Sequence, residues 1–235
     1  MEQGTLYLVP CHLGEDARDN TINPEVRIVC NKLDGFLAEN PKSCRAFLKS
    51  INLEKPLQSF DYYDLNKRTS DIERSEYISL LKSGKNLGII SEAGCPGIAD
   101  PGADMVRIAQ QNNIKVVPLV GPSSILLALI ATGIGGQQFT FHGYLPVDEK
   151  ELKGKLDQCI AAAQQGVTQI VMETPYRNLK LFKALCNNLP NNFQLGVASN
   201  LTQKTEWIKT QKVSAWSKQP EPSIHKVPTI FVFGV

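Results

Sequence analysis

The sequence predicts an α/β protein of two domains, and three observations carry this. With 235 residues, 42% of them hydrophobic and 20% charged, the chain can bury a sizeable core and has room for one large or two small domains. The stretch Leu87 to Ile134 alternates strand, glycine-proline loop, helix, strand, glycine-proline loop and helix. Two strands joined by a helix require a parallel βαβ crossover. Gly133-Ile134-Gly135-Gly136 is the one Gly-dense run, and it divides the chain into 1–136 and 137–235.

Within the central stretch, Leu87 to Ile90 is a short apolar strand ending at Ser91. Ser91 to Gly102 then holds three Gly and two Pro in twelve residues. Helical spacing from Asp104 to Asn113 puts Met105, Ile108 and Ala109 on one side. Ile114 to Val120 is apolar and β-branched until Gly121-Pro122-Ser123-Ser124 breaks it. Ser123 or Ser124 can cap the apolar helix that runs to Thr132. Both loops leave the carboxyl ends of parallel strands, the edge where open α/β sheets bind small ligands. Gly lets backbone approach a ligand closely and Pro fixes the turn. Such loops offer amides and carbonyls rather than charge. They are equally the build of ordinary βα turns.

The other elements follow in order. Thr5 to Val9 reads as a buried strand ended by Pro10, with Cys11 to Asp16 a loop. Asn23-Pro24 opens a helix to about Leu33, Asn23 as cap and Pro24 as first helical residue. Gly35 to Glu39 is a second strand. Asp61 to Arg68 is polar and aromatic; Tyr62 and Tyr63 can stack on a base or pack at a domain edge. Ile72 to Ser83 is amphipathic, with Ile72, Tyr77, Leu80 and Leu81 apolar and Gly84 closing it. Strands follow at 139–144, 168–172, 193–198, 205–210 and 228–234, and helices at 152–165 and 178–188. Lys212 to His225 is polar and Pro-rich and reads as a surface loop.

Composition excludes several classes. A net charge of +2 is too small to argue for nucleic acid by itself. The six Cys at 11, 30, 44, 95, 159 and 186 form no CxxC and, with His, no zinc spacing, so no metal is expected. Scattered thiols suit a reducing cytosol, and all six read as small apolar residues. Met1-Glu2-Gln3-Gly4 is polar, so no signal peptide is expected. No apolar run reaches the ~20 residues that span a bilayer, and Ile125 to Ala131 reads as a buried core helix. There is no GxGxxG after the first strand, which speaks against a nicotinamide oxidoreductase.

SEAGCPGIADPG, VPLVGPSS, FTFHGYLP and METPYR together resemble the tetrapyrrole methylase superfamily of S-adenosylmethionine-dependent methyltransferases. Within it the chain is most similar to the branch that 2′-O-methylates a cytidine of small-subunit ribosomal RNA. There the long loop typically reads SDAGTPGISDPG and the second VPGPSA. The resemblance runs from GTLYLVP nearly to the end. It implies a parallel-rich N-terminal sheet, a mixed C-terminal sheet, a cofactor cleft between the domains and a homodimer. It carries cofactor contacts to Pro10, to Gly94, Cys95, Pro96, Gly97 and Ile98, and to Ser123 and Ser124. Met172, Glu173, Ala198, Asn200, Pro228 and Thr229 match places that usually hold the adenosine. The chain departs from the branch in three places. PCHLGED stands for PTPIGNL. Asn40-Pro41-Lys42 replaces the middle of a Glu-Asp-Thr-Arg motif, keeping Glu39 and Arg45. Ser199-Asn200 replaces the Arg-Glu of RELT.

Methyl transfer from a sulfonium is an in-line displacement in which the protein mainly aligns two reactants, worth roughly 7–11 kcal/mol in favourable cases. An acceptor hydroxyl also needs a base, for which Glu39, His12 and Glu92 are candidates. His12 is otherwise a polar loop residue, and Glu92 a carboxylate that orders its loop. Lys42 and Arg45 can touch a phosphate or form one cationic helix face. The acceptor implied is RNA of the small ribosomal subunit, with a tetrapyrrole or other small acceptor second. A protein that binds the cofactor or S-adenosylhomocysteine without catalysis is the third reading.

Overall fold

The computed structural model describes residues 2–18 and 20–235; Met1, first of the polar opening residues, lies outside them. The chain forms two compact units, Met1–Ser123 and Ser124–Val235.

In the first unit the elements are β1 (Thr5–Leu8), α1 (Pro24–Cys30), β2 (Gly35–Ala38), α2 (Pro41–Ser50), β3 (Asp61–Asp64), α3 (Asp71–Lys82), β4 (Leu87–Ile90), α4 (Gly102–Gln111) and β5 (Lys115–Pro118). The strands lie in the order β3-β2-β4-β1-β5, and every pairing is parallel. All five carboxyl ends therefore meet one sheet edge. β2 and β4 are buried along their whole length, as interior strands covered on both faces must be. Phe36, Val26, Phe47 and Leu48 pack in one cluster. Leu6, Leu37, Leu81 and Met105 pack in another.

Local chemistry sets the ends. The Asn23 side chain accepts from Glu25 N–H at 2.9 Å and Asn40 from Lys42 N–H at 3.0 Å, so both helices begin on an Asn cap followed by Pro. Ser70 and Glu73 form a reciprocal capping box. Gly84 ends α3 at φ +100°, a conformation that favours glycine. α1 stops at Cys30, short of Leu33: the Asn31 side chain takes the backbone N–H groups of Glu54 and Lys55 instead.

Two expectations change here. The polar-aromatic run at 61–64 is an edge strand. Tyr62 stacks on Phe36 with centroids 6.0 Å apart and Tyr63 lies 5.4 Å from Tyr77, so both rings are packing residues. Ile72 is 74% exposed; the buried face of α3 is Tyr77, Ile78 and Leu81.

The second unit contains α5 (Ser124–Thr132), β6 (Phe139–Tyr144), α6 (Glu149–Gln164), β7 (Thr168–Met172), α7 (Asn178–Asn188), β8 (Gln194–Ser199), β9 (Trp207–Lys212), α8 (Val213–Trp216) and β10 (Thr229–Gly234). Its sheet runs β6-β7-β10-β8-β9; β6 and β7 are parallel and the other pairs antiparallel, a mixed sheet as expected.

The division falls at Ser123, before the Gly-dense run. α5 packs on β8 and β10, so it belongs to the second unit, and Gly133 and Gly135, at φ +68° and +56°, are the turn that follows it. Nor is α5 a core helix. Ala128 and Leu129 are buried, while Leu126 and Ile130, one turn apart, are 52% and 72% exposed. The segment 212–225 is packed rather than a surface loop. Val213, Trp216 and Ile224 are buried, and the Trp216 indole donates to the Leu195 carbonyl at 2.9 Å. Three apolar positions, Val213, Trp216 and Ile224, among many polar ones are enough to pin it.

β8 and α5 meet at Gly196, where an added methyl would lie 2.4 Å from Thr132 Cγ2 and 2.7 Å from its Cβ. Gly196→Ala is expected to cost about 1–3 kcal/mol by overpacking. Thr132→Ala in the same chain should recover part of that cost, so denaturant unfolding of the four-member cycle gives a non-zero coupling.

Candidate functional site

Three loops interlock over the carboxyl edge of the first sheet. After β1, Cys11 N–H donates to the Gly94 carbonyl at 3.0 Å, and its thiol donates to the Ser91 carbonyl at 3.2 Å. This joins the β1 loop to the β4 loop. The Cys95 thiol reaches the Gly121 and Pro122 carbonyls at 3.6 and 3.4 Å, which joins the β4 loop to the β5 loop. Pro10 closes the ring: a methyl at Gly121 would sit 2.1 Å from Pro10 Cβ, so only glycine lets these backbones meet. Burial pushes the Cys11 thiol up to about 12 and raises that of Cys95. Both are protonated donors at neutral pH, not nucleophiles.

The long loop turns on a carboxylate absent from the sequence-based candidates. Asp100 accepts from Gly97 N–H at 2.9 and 2.8 Å, one contact to each oxygen, and from Gly102 N–H at 2.7 Å. These bonds favour the charged form, but burial outweighs them and holds the carboxyl above its ordinary range. Gly94, Gly97 and Ala99 all have positive φ, at +71°, +90° and +59°. The signal for Asp100 was present in the sequence as an Asp two residues before a helix-opening Gly. In front of Gly97 there is open space: an added methyl would meet nothing within 4 Å. The loop is thus held from behind and bare in front.

The three candidate bases are placed differently. The Glu39 carboxylate accepts the Glu92 N–H; burial raises its proton affinity, and the charges of Glu92 and Asp100 raise it further. Glu92 accepts from Ser43 Oγ at 3.2 Å. His12 Nδ1 lies 3.1 Å from Thr21 Oγ1, its ring is edge-on to Phe47 at 5.6 Å, and burial lowers its pKa, so it is neutral at pH 7. His12, Gly14, Ser43, Phe47, Ser91 and Glu92 line a groove of about 420 Å³ between α2 and the β1 and β4 loops. Arg45 lies outside it: its guanidinium stacks on Tyr62, 5.1 Å from the ring centroid. Lys42 is exposed on the first turn of α2.

The candidates of the second unit gather at one end of its sheet. β10 runs against both β7 and β8, so its start meets their ends. Ile230 pairs with Met172 on one side and Ala198 on the other, and Thr229 with Ser199. The Glu173 side chain is occupied: it is buried, 3.0 Å from Arg177, and caps Thr174 N–H at 2.7 Å. Asn200, at φ +48°, donates to Thr205 Oγ1 at 2.9 Å. Pro228 is exposed, and its carbonyl accepts from Asn200 N–H at 3.0 Å. Ser123 and Ser124 stand half-buried at the start of α5.

All six cysteines are free. Among the described residues no cluster of His, Cys, Asp and Glu has the arrangement of a metal site, and no helix is long and apolar enough to cross a membrane.

Comparison with known proteins adds three findings. A family model described as Tetrapyrrole (Corrin/Porphyrin) Methylases matches residues 28–215. The chain is 35% identical over 225 residues to the Bacillus subtilis (strain 168) protein named Ribosomal RNA small subunit methyltransferase I, covering 94% of this chain and 72% of that one. Solved structures share the fold. The methyltransferase CobJ matches with a TM-score of 0.65 at 14% identity, covering 98% of this chain and 94% of that one. A Thermus thermophilus uroporphyrin-III C-methyl transferase complexed with S-adenyl homocysteine matches with a TM-score of 0.55 at 14% identity, covering 98% and 97%.

The Asp100 clasp yields a direct test. Asp100→Ala strands the buried Gly102 N–H and the part-buried Gly97 N–H, a cost of about 1–3 kcal/mol. Thermal unfolding should register that loss, and limited proteolysis should cut within 92–101 faster than in the parent.

Proposed function

The chain belongs to the tetrapyrrole methylase family, and from that membership we propose that it is an S-adenosylmethionine-dependent methyltransferase whose acceptor is a ribose 2′-hydroxyl of small-subunit ribosomal RNA. The observation that carries the reading is the open space in front of Gly97 in the Gly94–Ile98 loop, whose backbone is held from behind by Asp100. The donor set there is amide and carbonyl, with no cluster of Lys or Arg among the described residues of the loop to clamp a phosphate, and it fits an amino-acid-like moiety better than a nucleotide phosphate. S-adenosylmethionine supplies a methyl group already activated on a sulfonium. In this reading Pro10, Gly94, Cys95, Pro96, Gly97, Ile98 and Ser123 hold its methionine part. Met172, Ala198 and Thr229, with the backbone of Glu173, Ser124, Asn200 and Pro228, hold its adenosine. The RNA acceptor is supported by the name of the Bacillus subtilis relative.

Glu39 is the base this reading favours. Its carboxyl stands above the ordinary carboxylate range, which brings its proton affinity closer to that of the working pH, and its Glu92 N–H contact fixes one oxygen. His12, Glu92, Lys42 and Arg45 then serve the acceptor rather than the proton transfer. Free thiols throughout fit a reducing cytoplasm. The exposed Leu126 and Ile130 face fits burial in a homodimer; light scattering that returned a monomer at working concentration would remove that part.

Titration calorimetry with S-adenosylhomocysteine tests the cofactor reading. Wild type should bind in the micromolar range and Gly97→Val, a β-branched residue at φ +90°, should not; no heat with wild type sinks the methyltransferase reading. Methylation of small subunits lacking the mark tests the acceptor. Glu39→Gln gives a two-sided prediction. A carboxyl whose folded pKa is raised opposes folding when ionised, so this variant should unfold at or above the parental temperature at pH 7. The parent should close that gap as pH falls through the raised pKa. Methyl transfer by the variant should drop about 100-fold or more, with S-adenosylhomocysteine affinity unchanged.

A further inference from the structure

A second groove, of about 560 Å³, lies in the second unit between β9 and residues 219–223. Asn200, one of the adenosine candidates, lines one end of it, while Met172 and Ala198 lie on the other face of the sheet. Met172, Ile230, Ala198 and Ile208 are register partners across four strands and so share one face, the face on which Gly196 meets α5. Strand residues alternate, which puts Trp207 and Lys209 on the other. Thr229, through its pairing with Ser199, is on the groove's side of the sheet, so the groove adjoins part of the proposed adenosine contacts and extends from them along Trp207 and Lys209.

Its walls are aromatic and cationic. Trp207 is 38% exposed at the end of the edge strand. Trp216 beneath it is buried and held by its bond to Leu195; the rings are 6.3 Å apart at 63°. Lys209 Nζ lies 5.5 Å from the Trp216 centroid and donates to Gln219 Oε1 at 2.5 Å. That spends one of three ammonium donors. Lys204, Lys209, Lys212 and Lys218 crowd this segment. Of its acids, Glu221 is paired with Lys183 at 2.9 Å, and Glu206 accepts from Thr202 N–H at 2.8 Å. Lysines on an edge strand are a common guard against strand pairing, but that guard needs no exposed indole.

Resting on the RNA reading above, we propose that this groove binds an unpaired base of the RNA, stacked on Trp207 with its phosphate at Lys209. Stacking on an exposed aromatic is tolerant of sequence and needs only a π-face and a nearby cation. The site thus supplies affinity for single-stranded RNA that the +2 net charge of the whole chain could not.

The test uses the full chain with single-stranded oligoadenylate, read by tryptophan fluorescence, and an abasic ribose-phosphate oligomer as control. Wild type should show quenching that the abasic oligomer does not reproduce. Trp207→Ala should bind about tenfold more weakly, Trp207→Phe should keep most of the affinity, and Lys209→Gln should flatten the salt dependence where Trp207→Ala does not. All three should bind S-adenosylhomocysteine like the parent, which excludes misfolding. Equal oligoadenylate affinity of Trp207→Ala and wild type overturns the proposal, as does equal binding of the abasic oligomer. Loss of subunit methylation already in wild type, with oligoadenylate binding intact, would instead count against the RNA acceptor.

Discussion

The close approach of three backbones over the carboxyl edge of the first sheet is the constraint on which the rest of that unit depends. A parallel sheet sends every strand out at the same edge, so the loops after β1, β4 and β5 compete for one strip of space. They fit because Gly121 has no side chain where Pro10 stands, and because Gly94 takes a positive φ beside Pro122. Packed so tightly, the loops leave buried and part-buried backbone groups that need partners. Cys11, Cys95 and Asp100 provide them. Three residues with chemically reactive reputations are used here for hydrogen bonds.

That arrangement decides the electrostatics. Glu39, Glu92 and Asp100 are brought to one edge, with the charge of Lys67 acting on Glu39 in the opposite sense. Burial and mutual repulsion raise the proton affinity of Glu39, while the backbone N–H of Glu92 holds it in place. The positive charge that RNA would need is found elsewhere, on β9 and the segment after it, where Lys209 and Trp207 share a groove.

Several polar clusters look catalytic and are structural. His142 Nε2 lies 2.7 Å from Gln169 Oε1 and 3.5 Å from Cys159 Sγ. Gln169 donates its own amide to the Val167 carbonyl, so its oxygen must accept from His142. The Nε2 of that ring is thus a donor and cannot take the thiol proton of Cys159, which burial already holds up. Glu173 is likewise buried and paired with a part-exposed Arg177 four residues on. Losing Arg177 would leave the buried carboxylate without its cation, the costly case for buried ions.

What the sequence determined by itself was whatever rests on short-range chemistry. The Asn23-Pro24 cap of α1, the βαβ alternation at 87–132 and the Gly/Pro loops are local, because each depends on neighbours within a few residues. The family resemblance could be read the same way, from loops whose backbone geometry dictates their residues. Tertiary structure decided everything that depends on who lies across the sheet. Asp61–Asp64 is too polar to look like a strand and becomes one by pairing with β2. Residues 212–225 look like a loop until Trp216 finds Leu195. α5 is apolar all round, and only its packing on Gly196 shows which side is buried and to which unit it belongs. Asp100 was visible as a letter, but its three hydrogen bonds exist only once the loop has folded back on itself. Register and long-range contact carry these outcomes, and neither leaves a period in the sequence.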